Sequence, residues 1–131
     1  MGMLWTSRKG SVVSVEWMGK AWGENRRLET NKHGHIYVNP GYKGFQSGLI
    51  WLLMVHNLEK RTMDGSVRVH MDLTIDKARD IDSLIKPVLD CIEQAHVIRN
   101  DNQICRLLVT KMKKAKRKDE DKIALRIEEI V

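Results

Sequence analysis

The most constraining feature of this sequence is an apolar periodicity between residues 81 and 92. Apolar residues recur there at intervals of three and four, which places them on one face of an α-helix. The members of this stripe are Ile81, Leu84, Ile85, Val88, Leu89 and Ile92. We therefore predict a helix over residues 82–95 that packs one face on a core. Pro87 lies inside it and lacks a backbone N–H, so the first turns should bend.

Segments typical of strands flank this helix. Residues 66–75 alternate apolar and polar side chains, which predicts a strand with one buried face. Residues 11–18 are rich in β-branched side chains and predict a first strand. Two more strands are predicted over residues 103–112 and 123–130, joined as a hairpin with a long charged tip.

The remaining segments complete an α+β fold. Residues 20–38 indicate an irregular basic loop or a loose hairpin with a turn at Gly34. An apolar stripe over residues 42–58 predicts a second helix. This order of elements predicts a single domain spanning residues 1–131, in which a mixed β-sheet of about four strands is packed by two helices.

The charge balance favours an anionic partner. Lys and Arg number 23 against 17 Asp and Glu, giving a net charge of +6, which suits nucleic acid or a membrane surface. A soluble protein that is merely basic remains an alternative. The longest apolar run, residues 49–55, is too short to span a bilayer, and the N-terminus lacks a secretory signal pattern, so we expect a cytoplasmic location.

The two cysteines do not indicate a metal site or a disulfide framework. Cys91 and Cys105 lack the spacing of zinc ligands, and no nearby histidine completes such a set. We expect both to be reduced core residues.

Acidic residues gather where the helix over residues 82–95 begins. Asp80 and Asp82 are two positions apart, so both can serve one site only if Asp80 precedes the helix. Asp82 is then the N-cap or a first-turn residue, where it meets the positive end of the helix dipole. A plain acidic cap is the alternative interpretation.

A lysine and a further aspartate extend this pattern. Asp82, Lys86 and Asp90 share the helix face opposite the apolar stripe. That face is either solvated and stabilised by an Asp82–Lys86 ion pair, or it makes Lys86 a functional cation. Asp101 lies in a turn beyond the helix, where an Asx-turn would explain it equally well.

Together the three carboxylates suit a divalent cation. Mg²⁺ is held by a few carboxylate oxygens, and nucleases use such ions to activate water and to neutralise charge on a phosphate. Lys86 could then stabilise charge developing at the phosphate. Spacing of this kind is not unique to nucleases, so metal-dependent phosphodiester chemistry stays a hypothesis at this point.

Two runs of sequence resemble the RusA family of Holliday junction resolvases, which is common in phages and prophages. They are RDIDSLIKPVLD at residues 79–90 and VIRNDNQI at residues 97–104. The family pattern is a D-[LIV]-D-N-L-x-K helix start, an Asp further along that helix, and a D-D-x-Q-[VI] turn. The sequence departs from it at Ser83, where the family usually has Asn, and at Asn100, where it often has Asp.

The resemblance implies a homodimeric, Mg²⁺-dependent endonuclease, with Mn²⁺ as a substitute ion, that makes paired nicks in four-way DNA junctions. It assigns the catalytic acids and metal ligands to Asp80, Asp82 and Asp101, and the essential lysine to Lys86. It further implies a role in DNA recombination and repair in the cytoplasm of a bacterial or phage-infected cell.

Basic side chains outside this cluster are candidates for phosphate contacts, although solubility alone would also explain them. The predicted nucleic-acid-binding residues are Arg26, Arg27, Lys32, Lys43, Arg79, Lys113 and Lys114. Two other functions remain open. One is a junction-DNA-binding protein of the same fold with weakened catalysis, which Ser83 and Asn100 suggest, and the other is a small basic RNA-binding domain.

Overall fold

The structure is a computed structural model, and it describes residues 10–130. The prediction that the N-terminus lacks a secretory signal falls largely on residues 1–9, outside that range. The strands are β1 (Val12–Gly19), β2 (Leu28–Thr30), β3 (Ile36–Val38), β4 (Val67–Ile75), β5 (Ile104–Lys113) and β6 (Asp121–Glu129). The helices are α1 (Pro40–His56) and α2 (Asp82–Gln94), with short 3₁₀ turns at Glu24–Arg26 and Asp101–Gln103.

Four strands form one mixed sheet in the order β1-β6-β4-β5. β4 and β5 are parallel because α2 carries the chain back between them, whereas β6 runs antiparallel to both β1 and β4. The predicted α+β fold, a four-stranded mixed sheet packed by two helices, is confirmed. β2 and β3 pair separately as a small antiparallel hairpin with Gly34 at a positive φ of 80° in its turn.

The predicted hairpin between the last two strands is wrong. β6 lies between β1 and β4, and β5 lies on the other side of β4 at the sheet edge. Both predicted strands exist, but they do not pair with each other, and their places in the sheet follow how deeply each is buried. β6 buries Ile123, Leu125 and Ile127 in the core, whereas most of β5 is exposed. The more deeply buried strand takes the central position.

The helices cover one face of this sheet and close the core. Leu49 and Leu53 of α1 are fully buried, as are Leu84 and Ile92 of α2. Helix α1 begins at a cap in which the Asn39 side-chain oxygen accepts from the N–H of Gly41 at 2.7 Å. Helix α2 runs without a break through Pro87, which is buried. No helix within residues 10–130 has both the length and the apolarity to cross a membrane.

The two cysteines should differ sharply in reactivity. Cys91 is fully buried in α2, and this burial raises the pKa of its thiol to about 12. Cys105 lies exposed on β5, so the expectation that both are core residues is wrong for this one. Because the thiolate is the reactive form, iodoacetamide at pH 8 should label Cys105 and leave Cys91 unmodified until the protein unfolds. Peptide mass spectrometry would check this, and rapid labelling of native Cys91 would contradict it.

Candidate active site at the start of helix α2

The turn before α2 sets the positions of Asp80 and Asp82. Asp80 precedes the helix and Asp82 is its first residue, but the N-cap is Ile81, whose side chain offers no cap hydrogen bond. Asp82 is therefore a first-turn residue rather than a cap. The Ser83 hydroxyl donates to the Asp80 carbonyl oxygen at 2.9 Å and closes the turn. This is the structural role of the serine at the position where the RusA pattern has Asn.

The side chains of Asp80 and Asp82 are both exposed and uncommitted. Within residues 10–130 neither carboxylate makes a hydrogen bond or an ion pair. A pair of unneutralised carboxylates at a helix N-terminus is available to an external ligand, since no internal contact has to be broken first. The two carboxylates therefore present hard oxygen ligands to the solvent.

Lys86 lies one turn further along α2 and pairs with Asp90. Its ammonium is 3.2 Å from a carboxylate oxygen of Asp90, so the Asp82–Lys86 ion pair, one of the two interpretations of this helix face, is not formed. The hydrogen bond and charge of Asp90 raise the pKa of Lys86, with smaller contributions from the charges of Asp101 and Glu24. Lys86 therefore remains protonated at neutral pH, close enough to Asp101 to respond to its charge.

Asp101 begins a turn that is held from two sides. The Asn100 side-chain oxygen accepts from the N–H of Asn102 at 2.9 Å and caps the turn. The Gln103 amide donates to the carbonyls of Met63 and Gly65, both at 2.8 Å. Asp101 itself is exposed. Asn100 thus has a local capping role, which an Asp at the same position could also fill.

Glu24 is a further acidic residue near this helix that the sequence analysis did not identify. The 3₁₀ turn Glu24–Arg26 packs against α2, and Tyr42 donates its hydroxyl to Glu24 at 3.2 Å. Burial, together with the charge of Glu24, raises the pKa of Tyr42 above its ordinary value. No local pattern marked Glu24, because it sits in a basic stretch and the contacts that bring it to Tyr42 and to α2 are tertiary.

A basic cleft of about 470 Å³ opens beside Asp80. It separates the segment before β2 from the turn that leads into α2. Lining side chains include Lys20, Trp22, Arg26, Arg79, Asp80 and Ser83. Lys20 places its ammonium 4.3 Å from the centre of the Trp22 ring, a cation–π contact. The cleft therefore brings cations to within reach of a candidate catalytic carboxylate.

The cleft wall depends on a close approach of Trp22 to α1. A Cβ added at Gly41 would overlap the Trp22 ring, whereas one added at Gly44 meets nothing within 4 Å. Gly41→Ala should therefore destabilise the fold by roughly 1–3 kcal/mol through overpacking. Gly44→Ala, in the same helix, should stabilise it by about 0.5–1 kcal/mol through helix propensity. Urea unfolding would measure both, and equal effects would contradict this packing.

The predicted phosphate contacts fall into two groups. Arg79 and Lys114 both bind Asp121, at 3.1 Å each, and the Lys114 side chain is only 10% exposed. Lys114 is thus committed to the fold. The remaining predicted contacts are exposed, and Arg27 among them lies 3.7 Å from Glu24. The exposed members are Arg26, Arg27, Lys32, Lys43 and Lys113.

The donor chemistry of the three predicted metal ligands fits Mg²⁺, since carboxylate oxygens are its preferred protein ligands. Among residues 10–130, no three His, Cys, Asp or Glu side chains already converge on a common point. Asp80 and Asp82 share the start of α2, and Asp101 approaches the same helix near Lys86. Binding would thus require these exposed side chains to turn towards one another.

Comparison with known proteins gives a family model that matches most of the chain. The family model described as Endodeoxyribonuclease RusA matches residues 19–128. No curated protein matches the sequence. Among solved structures, the hydrogenase maturation protein HypE in complex with ATP aligns with 96% of this chain at 8% identity and a TM-score of 0.36. The aligned part spans 32% of that protein, and so low a score carries no argument.

Proposed function

Because the chain belongs to the RusA endodeoxyribonuclease family, we propose that it is a Mg²⁺-dependent nuclease that resolves four-way DNA junctions by paired nicks. The family makes it a hydrolase of phosphodiester bonds in DNA. The junction substrate, the ion and the roles of individual residues are our proposal. So are its homodimeric state and its action in recombination and repair in the cytoplasm of a bacterial or phage-infected cell.

The observation that carries this proposal is the pair of uncommitted carboxylates beside the basic cleft. Asp80 lines the cleft, and Asp82 follows it at the start of α2. A DNA strand whose phosphates lie along Lys20 and Arg26 would pass directly by Asp80. Acidic ligands and phosphate-binding cations are thus adjacent, which is the arrangement that metal-dependent cleavage of a polyanion requires.

Three side chains would hold the ion, namely Asp80, Asp82 and Asp101. When bound, Mg²⁺ supplies charge neutralisation at the phosphate and lowers the pKa of a water ligand. Lys86 remains protonated and can donate to a non-bridging or leaving oxygen. To do so, Lys86 must break its ion pair with Asp90 and bind the phosphate instead. Its side chain is 63% exposed, which leaves it room to move.

The test is a comparison of junction and duplex substrates. The protein is incubated with a synthetic four-way junction or a linear duplex of matched sequence, with and without Mg²⁺. We expect symmetric nicks on the junction only when Mg²⁺ is present. Tight junction binding without nicks would instead support the catalytically weakened alternative, and a preference for structured RNA would support the RNA-binding alternative.

Phosphate contacts also predict a steep salt dependence. Arg26 lines the cleft and makes no ion pair within residues 10–130. Arg26→Ala should therefore weaken junction binding and reduce the log–log salt slope by about one. Lys60→Ala, which removes a lysine whose side chain donates only to a carbonyl of α1, is the matched control. Fluorescence anisotropy across a salt series would measure both, and identical slopes would exclude Arg26 from the interface.

A further inference from the structure

The sheet face opposite the helices is uncovered within residues 10–130, and we call it the open face. Strand register arranges its residues in rows across β1, β6, β4 and β5. Side chains on this face are exposed or partly exposed along each of the four strands. Besides His70, its ionisable residues are Glu16, Arg68, Asp72, Arg106, Lys122, Arg126 and Glu128. The open face is therefore a solvent-exposed and strongly charged surface.

The arginines of the open face are gathered at the end where β4 begins. Arg106 of β5, Arg68 of β4 and Glu128 of β6 lie side by side in one row. In the next row, Arg126 of β6 lies beside His70 of β4. The rest of the face carries two acidic residues and one lysine. Three arginines against one glutamate leave an excess of two positive charges at this end of the sheet.

A cavity of about 250 Å³ opens between these side chains, and we call it the arginine cavity. Its lining residues are all ionisable, namely Arg68, His70, Arg106, Arg126 and Glu128. Cavities that bind drug-sized molecules measure roughly 300–1,000 Å³ and are lined mostly by apolar side chains. Because the arginine cavity is smaller and its walls are ionisable, it suits a small anionic group.

The single acid in the arginine cavity does not balance its cations. Glu128 lies 2.6 Å from Arg68 and 3.3 Å from Arg126. The hydrogen bond from Arg68, supported by Arg126, lowers the pKa of the Glu128 carboxyl, so this group is ionised at neutral pH. Arg106 lies beside Arg68 in register but makes no hydrogen bond or ion pair within residues 10–130. Since like charges on neighbouring strands repel, an anion bound between these two arginines would relieve the repulsion.

The arginine cavity is remote from the candidate active site. Arg68 is the second residue of β4, whereas Asp80 follows the far end of that strand. At about 3.3 Å per residue, the cavity lies roughly 20 Å along the strand from that end. It also opens on the sheet face opposite α2, whose buried residues pack in the core. A phosphate bound at Asp80 therefore cannot be the group that occupies this cavity.

We propose that Arg68, Arg106 and Arg126 form a second phosphate-binding site, separate from the candidate active site. A planar guanidinium donates two parallel N–H bonds to two oxygens of one phosphate, and the His70 ring can add a further donor. The excess of two positive charges matches a phosphate dianion or two neighbouring phosphodiester groups.

Two sources supply this chemistry. One is a free phosphate compound. The other is the backbone of a DNA arm that lies outside the cleft, since a four-way junction has four arms. The DNA source rests on the proposed function, whereas the binding of phosphate by the arginine cavity does not.

Arg106→Ala gives the sharpest test, because Arg106 has no bonded partner within residues 10–130 to lose. Inorganic phosphate is titrated into the protein in chloride buffer, and the arginine Nε–Hε signals are followed by NMR. We expect the signals of Arg68, Arg106 and Arg126 to shift and saturate with one common dissociation constant. Arg106→Ala should raise that constant roughly tenfold or more, the loss expected for one pair of charge-assisted hydrogen bonds.

The matched control removes a positive charge away from the open face. Lys60 lies beyond α1 and lines a different cavity, so Lys60→Ala should bind phosphate like the wild type. The same NMR spectra show whether each variant is folded. Arginine shifts that do not saturate, an unchanged constant in Arg106→Ala, or an equal loss in Lys60→Ala would each overturn the site.

Binding to a synthetic four-way junction without Mg²⁺ distinguishes the two sources. If DNA supplies the phosphate, Arg106→Ala should weaken junction binding and lower the log–log salt slope by about one. If a free phosphate compound supplies it, junction binding should stay unchanged while the phosphate titration still responds to Arg106→Ala. Fluorescence anisotropy across a salt series measures both variants.

This proposal and the proposed function fail separately. Junction nicking by a wild type whose arginine signals show no saturable response to phosphate would refute the arginine cavity and keep the proposed function. Saturable phosphate binding that responds to Arg106→Ala, in a protein that never nicks a junction, would refute the proposed function and keep the cavity.

Discussion

Asp82→Asn should abolish junction nicking while the protein still binds its DNA. Asp82 is the first residue of α2, and its carboxylate makes no hydrogen bond or ion pair within residues 10–130. Its removal therefore breaks no internal bond of the described fold. Loss of a group that only orients a metal ligand already lowers activity by roughly 10–100-fold, so loss of a ligand should lower the nicking rate at least about 100-fold. Junction affinity should stay equal or rise, since one negative charge is gone.

A second substitution on the same helix distinguishes the loss of a metal ligand from the loss of one negative charge. Glu93→Gln also removes one carboxylate from α2, three turns beyond Asp82, and should nick at the wild-type rate. Single-turnover rates at saturating Mg²⁺, together with anisotropy for binding, measure both variants. Wild-type nicking by Asp82→Asn would remove Asp82 from the site, and a shared loss in both variants would point to charge alone.

Asp121→Ala should destabilise the fold by about 3–5 kcal/mol, because it leaves the nearly buried Lys114 and the partly buried Arg79 without their partner. The Asp121 side chain is 6% exposed and binds Arg79 and Lys114. It also accepts from the N–H of Ala21 at 2.9 Å. One carboxylate therefore ties the start of β6 to the residue just after β5, to the segment that lines the cleft and to the turn before Asp80. Activity should fall together with stability.

The neighbouring Glu120 supplies the control for this effect. It is exposed, and its side chain makes no hydrogen bond or ion pair within residues 10–130, so Glu120→Ala should change stability by less than about 0.5 kcal/mol. Urea unfolding midpoints at constant slope would measure the difference. Similar values for the two variants would mean that solvent replaces the contacts of Asp121.

Local patterns were sufficient for the helices and failed for long-range pairing. The stripe from Ile81 to Ile92 predicted α2 to within one residue, because helical spacing is encoded in neighbouring positions. The hairpin prediction failed because strand order depends on contacts between distant segments. The same reason explains why the sequence left Glu24 unidentified and could not reveal that Lys114 is bound to Asp121.

The Lys86 ion pair illustrates the limit within a single helix. An acid four residues before a lysine is the favoured orientation, so helical spacing allowed an ion pair between Asp82 and Lys86 as one of two interpretations. Lys86 instead turns towards Asp90, and the charges of Asp101 and Glu24 act on it from the same side. Both of those acids reach α2 through tertiary packing. Helical spacing alone could therefore not predict the effect of Asp101 and Glu24 on Lys86.

The central position of β6 has a consequence for how this protein acquires its structure. Within residues 10–130, the sheet joins β1 to β4 only through β6, which comes after the other five described strands. During synthesis, the backbone edges of β1 and β4 that pair with β6 therefore stay without hydrogen-bond partners until β6 has been made. Unpaired strand edges of this kind promote aggregation. Pairs such as Val13 with Ile127 also close a very long loop, which slows folding. Refolding should be slow and sensitive to protein concentration, and a chain cut before β6 should accumulate as aggregate rather than as a smaller folded unit.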